Sequence, residues 1–206
     1  DQPVSSIGAL AVAPSNPNVV WAGTGEAFIR SHISIGNGIY KSTDAGRTWT
    51  HMGLDSTGRI ARIAIDPANP DIVFVAAQGH SYGPQQERGI FRTTDGGKTW
   101  QRVLFVDPNT GGIDVVMHPA NSQLLFAAMW QLEMHTWGRE SGGPGSAIYV
   151  SRDGGTTWTK LQGNGLPTHT IGKVGLAIAR SNPNRVYALI ETGDGNPLHG
   201  QPTDNG

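Results

Sequence analysis

Short apolar runs separated by turn-forming residues follow one another along the whole chain. In the clearest stretch, Arg62-Ile63-Ala64-Ile65 ends at Asp66-Pro67-Ala68-Asn69-Pro70-Asp71, where proline presets φ and Asn and Asp cap their own backbone. Ile72-Val73-Phe74-Val75-Ala76-Ala77 follows as a second run, too short and too β-branched for a helix. A polar loop from Gln78 to Gly89 leads into a third strand, Gly89-Ile90-Phe91-Arg92-Thr93, then a hairpin turn. Thr99-Trp100-Gln101-Arg102-Val103-Leu104 alternates as a fourth. The pattern predicts units of four antiparallel strands.

The hairpin turn of that unit is written three times, as Ser42-Thr43-Asp44-Ala45-Gly46-Arg47-Thr48-Trp49, Thr93-Thr94-Asp95-Gly96-Gly97-Lys98-Thr99-Trp100 and Ser151-Arg152-Asp153-Gly154-Gly155-Thr156-Thr157-Trp158. The form S/T-x-D-x-G-x-T-W is an Asp box. A second marker, the Asn of turns at Asn16, Asn69, Asn121 and Asn182, keeps similar time. A repeat of roughly 50 residues built from four short strands predicts an all-β β-propeller, each repeat one blade. The blades run over residues 9–52, 62–104 and 114–161, with an incomplete one over 174–206, so that about three and a half are present. A ring of four to eight blades is the usual closed form. The expectation is a segment of a larger propeller, its remaining blades supplied by the same polypeptide or by another copy. The start, Asp1-Gln2-Pro3-Val4, has no initiator Met and does not read as a signal peptide, which fits the middle of a longer chain.

Composition narrows the function classes. Fifteen basic against sixteen acidic residues give a net charge of −1 with no Lys/Arg cluster, so the footprint for nucleic acid is missing. With no Cys, thiolate zinc sites and thiol nucleophiles are excluded. No apolar run approaches the roughly 20 residues of a membrane span.

In each Asp box the carboxylate of Asp44, Asp95 or Asp153 is placed to accept N–H groups of its own turn. Gly46, Gly97 and Gly155 are expected at positive φ, and Trp49, Trp100 and Trp158 between adjacent blades. One carboxylate per blade is spread around a ring and does not converge on an ion, so these residues read as folding staples. Such boxes resemble the BNR-repeat superfamily, which includes sialidases, xyloglucanase-type glycoside hydrolases, the luminal propeller of sortilin and a photosystem II assembly factor. The Asn-Pro-Asn turn before Val-Val-Trp-Ala-Gly-Thr-Gly, with Gly-Ile-Tyr-Lys-Ser-Thr-Asp, looks most like large bacterial proteins labelled sortilin-like or BNR-repeat glycosyl hydrolases. That resemblance implies a secreted or periplasmic setting.

Strand alternation puts the Asn turns and Asp boxes on one rim. The opposite rim gathers the loops from Thr24 to Gly38, Gln78 to Gly89 and Trp130 to Ser146. On it Phe28, Tyr82, Trp130 and Trp137 are candidates to stack on a protein or glycan partner, and Arg30, Arg88 and Arg139 to pair with its carboxylates. This non-catalytic binding role is the favoured expectation, with no cofactor. The alternative is glycoside hydrolysis, which needs two converging carboxylates, drawn from Glu26, Glu87, Asp114, Glu133 and Glu140. No Arg-Ile-Pro opening of the sialidase kind is present. His32, His80 and His135 form a conceivable ligand set, but no close-spaced pair supports it and no metal is expected. Aligning the Asn turns places Ala9, Arg62, Asp114 and Gly175 level on the innermost strands. Arg62 and Asp114 are expected to pair across the channel as an inter-blade salt bridge; the alternative is a ligand acid bound at Arg62, with Arg59 assisting.

Overall fold

The computed structural model describes residues 3–29 and 33–192. Strands β1 (Ile7–Ala13), β2 (Asn16–Thr24), β3 (Ile39–Ser42) and β4 (Thr50–His51) form the first sheet, in that order. The second holds β5 (Ile60–Ile65), β6 (Val73–Ala77), β7 (Gly89–Thr93) and β8 (Gln101–Leu104). The third is β9 (Thr110–His118), β10 (Asn121–His135), β12 (Ala147–Ser151) and β13 (Thr159–Lys160), with β11 (Gly138–Ser141) added on the end of β10. The fourth contains β14 (Ile171–Ile178) and β15 (Val186–Thr192). All neighbours are antiparallel, and each sheet is a propeller blade.

The core lies between blades. Trp21, Ile63, Val73 and Val75 are among the residues filling the first junction, Phe74, Ile90, Val115 and Leu125 the second, and Ala128, Trp130, Val174 and Leu176 the third. A middle strand therefore has a blade on both faces, which is why Val73-Phe74-Val75-Ala76-Ala77 is apolar throughout and buried at every position. At the two ends of the arc, Leu10 and Val12 of β1 and Tyr187 and Leu189 of β15 are exposed. Apolar strand faces of this kind are covered in a ring by the next blade, so the chain is a segment of a larger propeller.

Each Asp box closes on itself. The Asp44 carboxylate accepts Arg47 N–H, Thr48 N–H and the Thr48 hydroxyl at 3.0, 2.9 and 2.7 Å. Asp153 repeats the set with Thr156 and Thr157, and Asp95 accepts the amide and hydroxyl of Thr99. These bonds hold Thr99 in the turn, and the outer strand begins at Gln101, two residues later than the alternation predicts. Gly46, Gly97 and Gly155 have φ of 87°, 95° and 80°. Trp100 reaches across a junction, its indole N–H donating to Met52 O at 2.7 Å and its ring edge-on to Trp21. Trp49 and Trp158 donate to Gly46 O and Gly155 O of their own turns, and Trp158 packs against the second junction. The box amides of Ala45, Gly96 and Gly154 bond to carbonyls of the Asn turns, at Asn18, Asp71 and Gln123, so both markers share a rim.

Hydrogen bonds from Thr hydroxyls and amides hold the three Asp-box carboxylates well below the usual range. A depressed folded-state pKa gives stability that is complete above the unfolded value near 4 and is lost as pH falls toward the folded value. Thermal stability should therefore drop between about pH 4 and pH 2. The Asp44→Asn, Asp95→Asn, Asp153→Asn triple variant should show a shallower drop in a Tm-versus-pH series; an identical slope would rule the boxes out as its source.

Candidate functional site

On the rim opposite the Asp boxes, the loop after β2 crosses the arc. It begins in the first blade, yet Ile29 is buried in the junction of the third and fourth, and Arg139 donates to Ile29 O at 3.4 Å. Arg30 and His32 lie outside the described residues. The crossing forms one wall of a cleft of about 700 Å³, lined by Phe28, Trp130, Arg139, Lys173 and Glu191 among others. Three of the rim residues expected from the sequence thus come together: Phe28, Trp130 and Arg139.

Their roles differ. Phe28 is 66% exposed and offers a free ring face, whereas Trp130 is 3% exposed and forms the floor. The Lys173 ammonium sits 4.7 Å from the Phe28 ring centroid and 5.5 Å from that of Trp130. Burial pulls Lys173 below the ordinary lysine range, opposed by nearby Glu191. A relay fixes the floor: Trp130 N–H donates to Ser141 Oγ at 3.0 Å, and the Ser141 hydroxyl to Glu191 Oε2 at 2.8 Å. The same Glu191 oxygen accepts Lys173 N–H at 2.7 Å. Glu191 and Lys173 were not anticipated from the chain, because both lie on strands of the fourth blade. The available signal was that Lys173 shares a strand face with Gly175, the position level with Arg62 and Asp114.

The other expected rim residues go elsewhere. Arg88 is 2% exposed and contacts no solvent face. Its guanidinium donates to the carbonyls of Asn109, Leu132, His80 and Gly83, so it is a clamp between loops and not a partner-binding group. In the loop after β6 the amides of Gln78 and Gln85 reach Arg59 O and Pro108 O, and the buried guanidinium adds donors to the carbonyls of His80 and Gly83. Arg59 donates likewise to Gly79 O and Ile33 O. Tyr82 is exposed beside a separate hollow of about 340 Å³ lined by Ile33, Arg59, His80 and Ser81. Trp137 is 84% exposed and stacks on His135 with centroids 4.9 Å apart. The segment expected as a loop from Trp130 to Ser146 is largely a hairpin of β10 and β11, since Trp130, Leu132 and Met134 alternate with Gln131, Glu133 and His135.

On the channel, Arg62 Nε lies 3.2 Å from Asp114 Oδ1. Asp114 also accepts Val115 N–H at 2.8 Å and, on its other oxygen, Leu176 N–H at 2.8 Å. One carboxylate thereby joins three blades. Burial raises its pKa, with Leu176 N–H and Arg62 opposing. Of the carboxylates considered for hydrolysis, none lines the cleft; Glu191 is the one acidic side chain among its described residues. The single converging group of metal-ligating side chains among the described residues is Glu133, His135 and Glu140, which His80 does not join.

Repeated Asp boxes, interlocked four-stranded blades and a cleft on the far rim define a segment of an Asp-box β-propeller. Residues 37–189 match the Sortilin-Vps10 family (sortilin, neurotensin receptor 3), and the chain belongs to that family. It is 29% identical over 193 residues to a xyloglucanase of Paenibacillus sp, covering 81% of this chain. It is 27% identical over 181 residues to a xyloglucanase of Hypocrea jecorina, covering 76% of this chain. The chain spans about a fifth of the length of these relatives, 17% and 20%. Among solved structures, an ancestral GH74 enzyme superposes with a TM-score of 0.62 at 23% identity, over 91% of this chain and 22% of that one, which shows the shared fold.

Proposed function

We propose that this chain is part of a glycoside hydrolase acting on a xyloglucan-type polysaccharide, and that it contributes carbohydrate-binding subsites in the Phe28–Trp130–Lys173 cleft. The observation that carries the reading is the cleft itself: an exposed aromatic face and a fixed aromatic floor with an ammonium and a carboxylate at the edge suit a sugar ring and its hydroxyls. The xyloglucanase relatives favour hydrolysis over the purely non-catalytic binding expected from the sequence. The acid and base are assigned to carboxylates outside this cleft, because hydrolysis needs two flanking the bond and the described lining has one. A polysaccharide substrate is met outside the cell, which supports a secreted or periplasmic setting; no described helix is long and apolar enough to cross a membrane.

Isothermal titration of the intact protein with xyloglucan oligosaccharides tests the reading. Phe28→Ala should weaken binding by about 1–2 kcal/mol, roughly five- to thirtyfold, and Trp137→Ala should leave it unchanged. No binding and no reducing-sugar release by the intact protein would overturn the proposal. Binding that Phe28→Ala leaves intact would move the subsites out of this cleft.

A further inference from the structure

We propose that the β10–β11 hairpin binds a divalent transition-metal ion of the zinc type through Glu133, His135 and Glu140. Glu133 and His135 are two apart on β10 and share a face, and Glu140 stands directly opposite Glu133 in the β10–β11 register. The three candidate ligand atoms all lie within 4.8 Å of one another. Zinc bonds to nitrogen and oxygen of about 2.0–2.2 Å need these atoms about 3–3.5 Å apart, a closure within reach of exposed side chains.

Two carboxylates directly opposite in an antiparallel pair repel each other, and a two-stranded hairpin has little stability to spare. Among the described residues, His135 is the one basic side chain within ion-pair distance of either carboxylate. Arg88 is close enough for its field to reach Glu133, but its donors go to backbone carbonyls, and Arg139 donates to Ile29 O. His135 Nε2 is 3.5 Å from Glu140 Oε1, an ion-pair distance that leaves the imidazole nitrogen available. Stacking on Trp137 holds the ring in place. One imidazole and two carboxylates, with a fourth position open to water, suit a borderline ion; Ca²⁺ wants six or more oxygens. Since Arg139 and Ser141 on the same hairpin reach the cleft, the ion would also fix one of its walls. The assignment is independent of the sugar reading.

The test is Zn²⁺ titration of the metal-free intact protein against a chromophoric chelator. Wild type should bind one more Zn²⁺ per chain than His135→Ala, and Glu133→Gln and Glu140→Gln should each weaken that site about tenfold or more. Unchanged stoichiometry in His135→Ala overturns the proposal. So does loss in His135→Ala alone with both Gln variants unaffected, which is the behaviour of a lone surface imidazole. Competition by Ca²⁺ as effective as Zn²⁺ overturns the zinc-type assignment. Equal Tm values of wild type and variants in EDTA establish that any loss is not unfolding, and Glu140→Gln, at an exposed position, carries the comparison if another variant is unstable.

Discussion

Gly97→Ala is expected to destabilise the propeller by about 2–4 kcal/mol, from overpacking together with left-handed strain. A Cβ at this position would stand 2.5 Å from Trp21 Cη2 and 3.0 Å from Met52 Cε, with φ at 95°. Trp21 is wholly buried in the first junction and has no free volume to retreat into. Gly155 repeats the arrangement one blade on, its missing Cβ occupied by the Phe74 ring. The glycine of the box therefore serves two ends: it turns the hairpin and it admits the middle-strand aromatic of the preceding blade. Gly163→Ala separates these, because φ is 70° there and nothing lies within 4 Å of the added carbon. Guanidinium denaturation midpoints should show Gly163→Ala costing only about 1 kcal/mol. Equal costs at the two sites would mean that backbone strain alone accounts for the glycine.

Arg88→Ala should cost more, about 3–5 kcal/mol, because four charge-assisted hydrogen bonds and the packing of a buried side chain are lost together, although His80 O and Asn109 O keep Gln85 Nε2 and Leu132 N–H as donors. Arg88→Lys should restore little of it: one ammonium cannot reach carbonyls at Asn109, Leu132, His80 and Gly83 as a planar fork does. Denaturation and sugar titration of the same variants decide between the two roles this residue has been given. A stable Arg88→Ala with weakened ligand affinity would return it to the partner-binding rim that the sequence suggested.

What could be read in the chain was whatever repeats locally. Asp44, Asp95 and Asp153 with their Thr and Gly companions are within one turn, so their spacing announces both the hairpin and the blade count. Arg88 looked like a rim residue because its neighbours in sequence are polar; its burial comes from Asn109 and Leu132, which belong to the next blade. The cleft was half legible for the same reason. Phe28, Trp130 and Arg139 stood out as aromatics and a cation in long loops, while Lys173 and Glu191 look like ordinary strand residues until the fourth blade is placed against the third. The hairpin of β10 and β11 was legible in its alternation and was masked by the charged and glycine-rich composition around it.

Arrays of repeats ordinarily unfold like a row of dominoes, since each unit feels only the units beside it. The segment that carries Ile29 from the first blade into the third junction breaks that rule, acting as a chord drawn across the arc. Blade one cannot peel away without opening the core between blades three and four. Its contact with Arg139, some hundred residues along the chain, also forms only after the intervening blades exist, so it is a late event in folding and an early one to guard in unfolding.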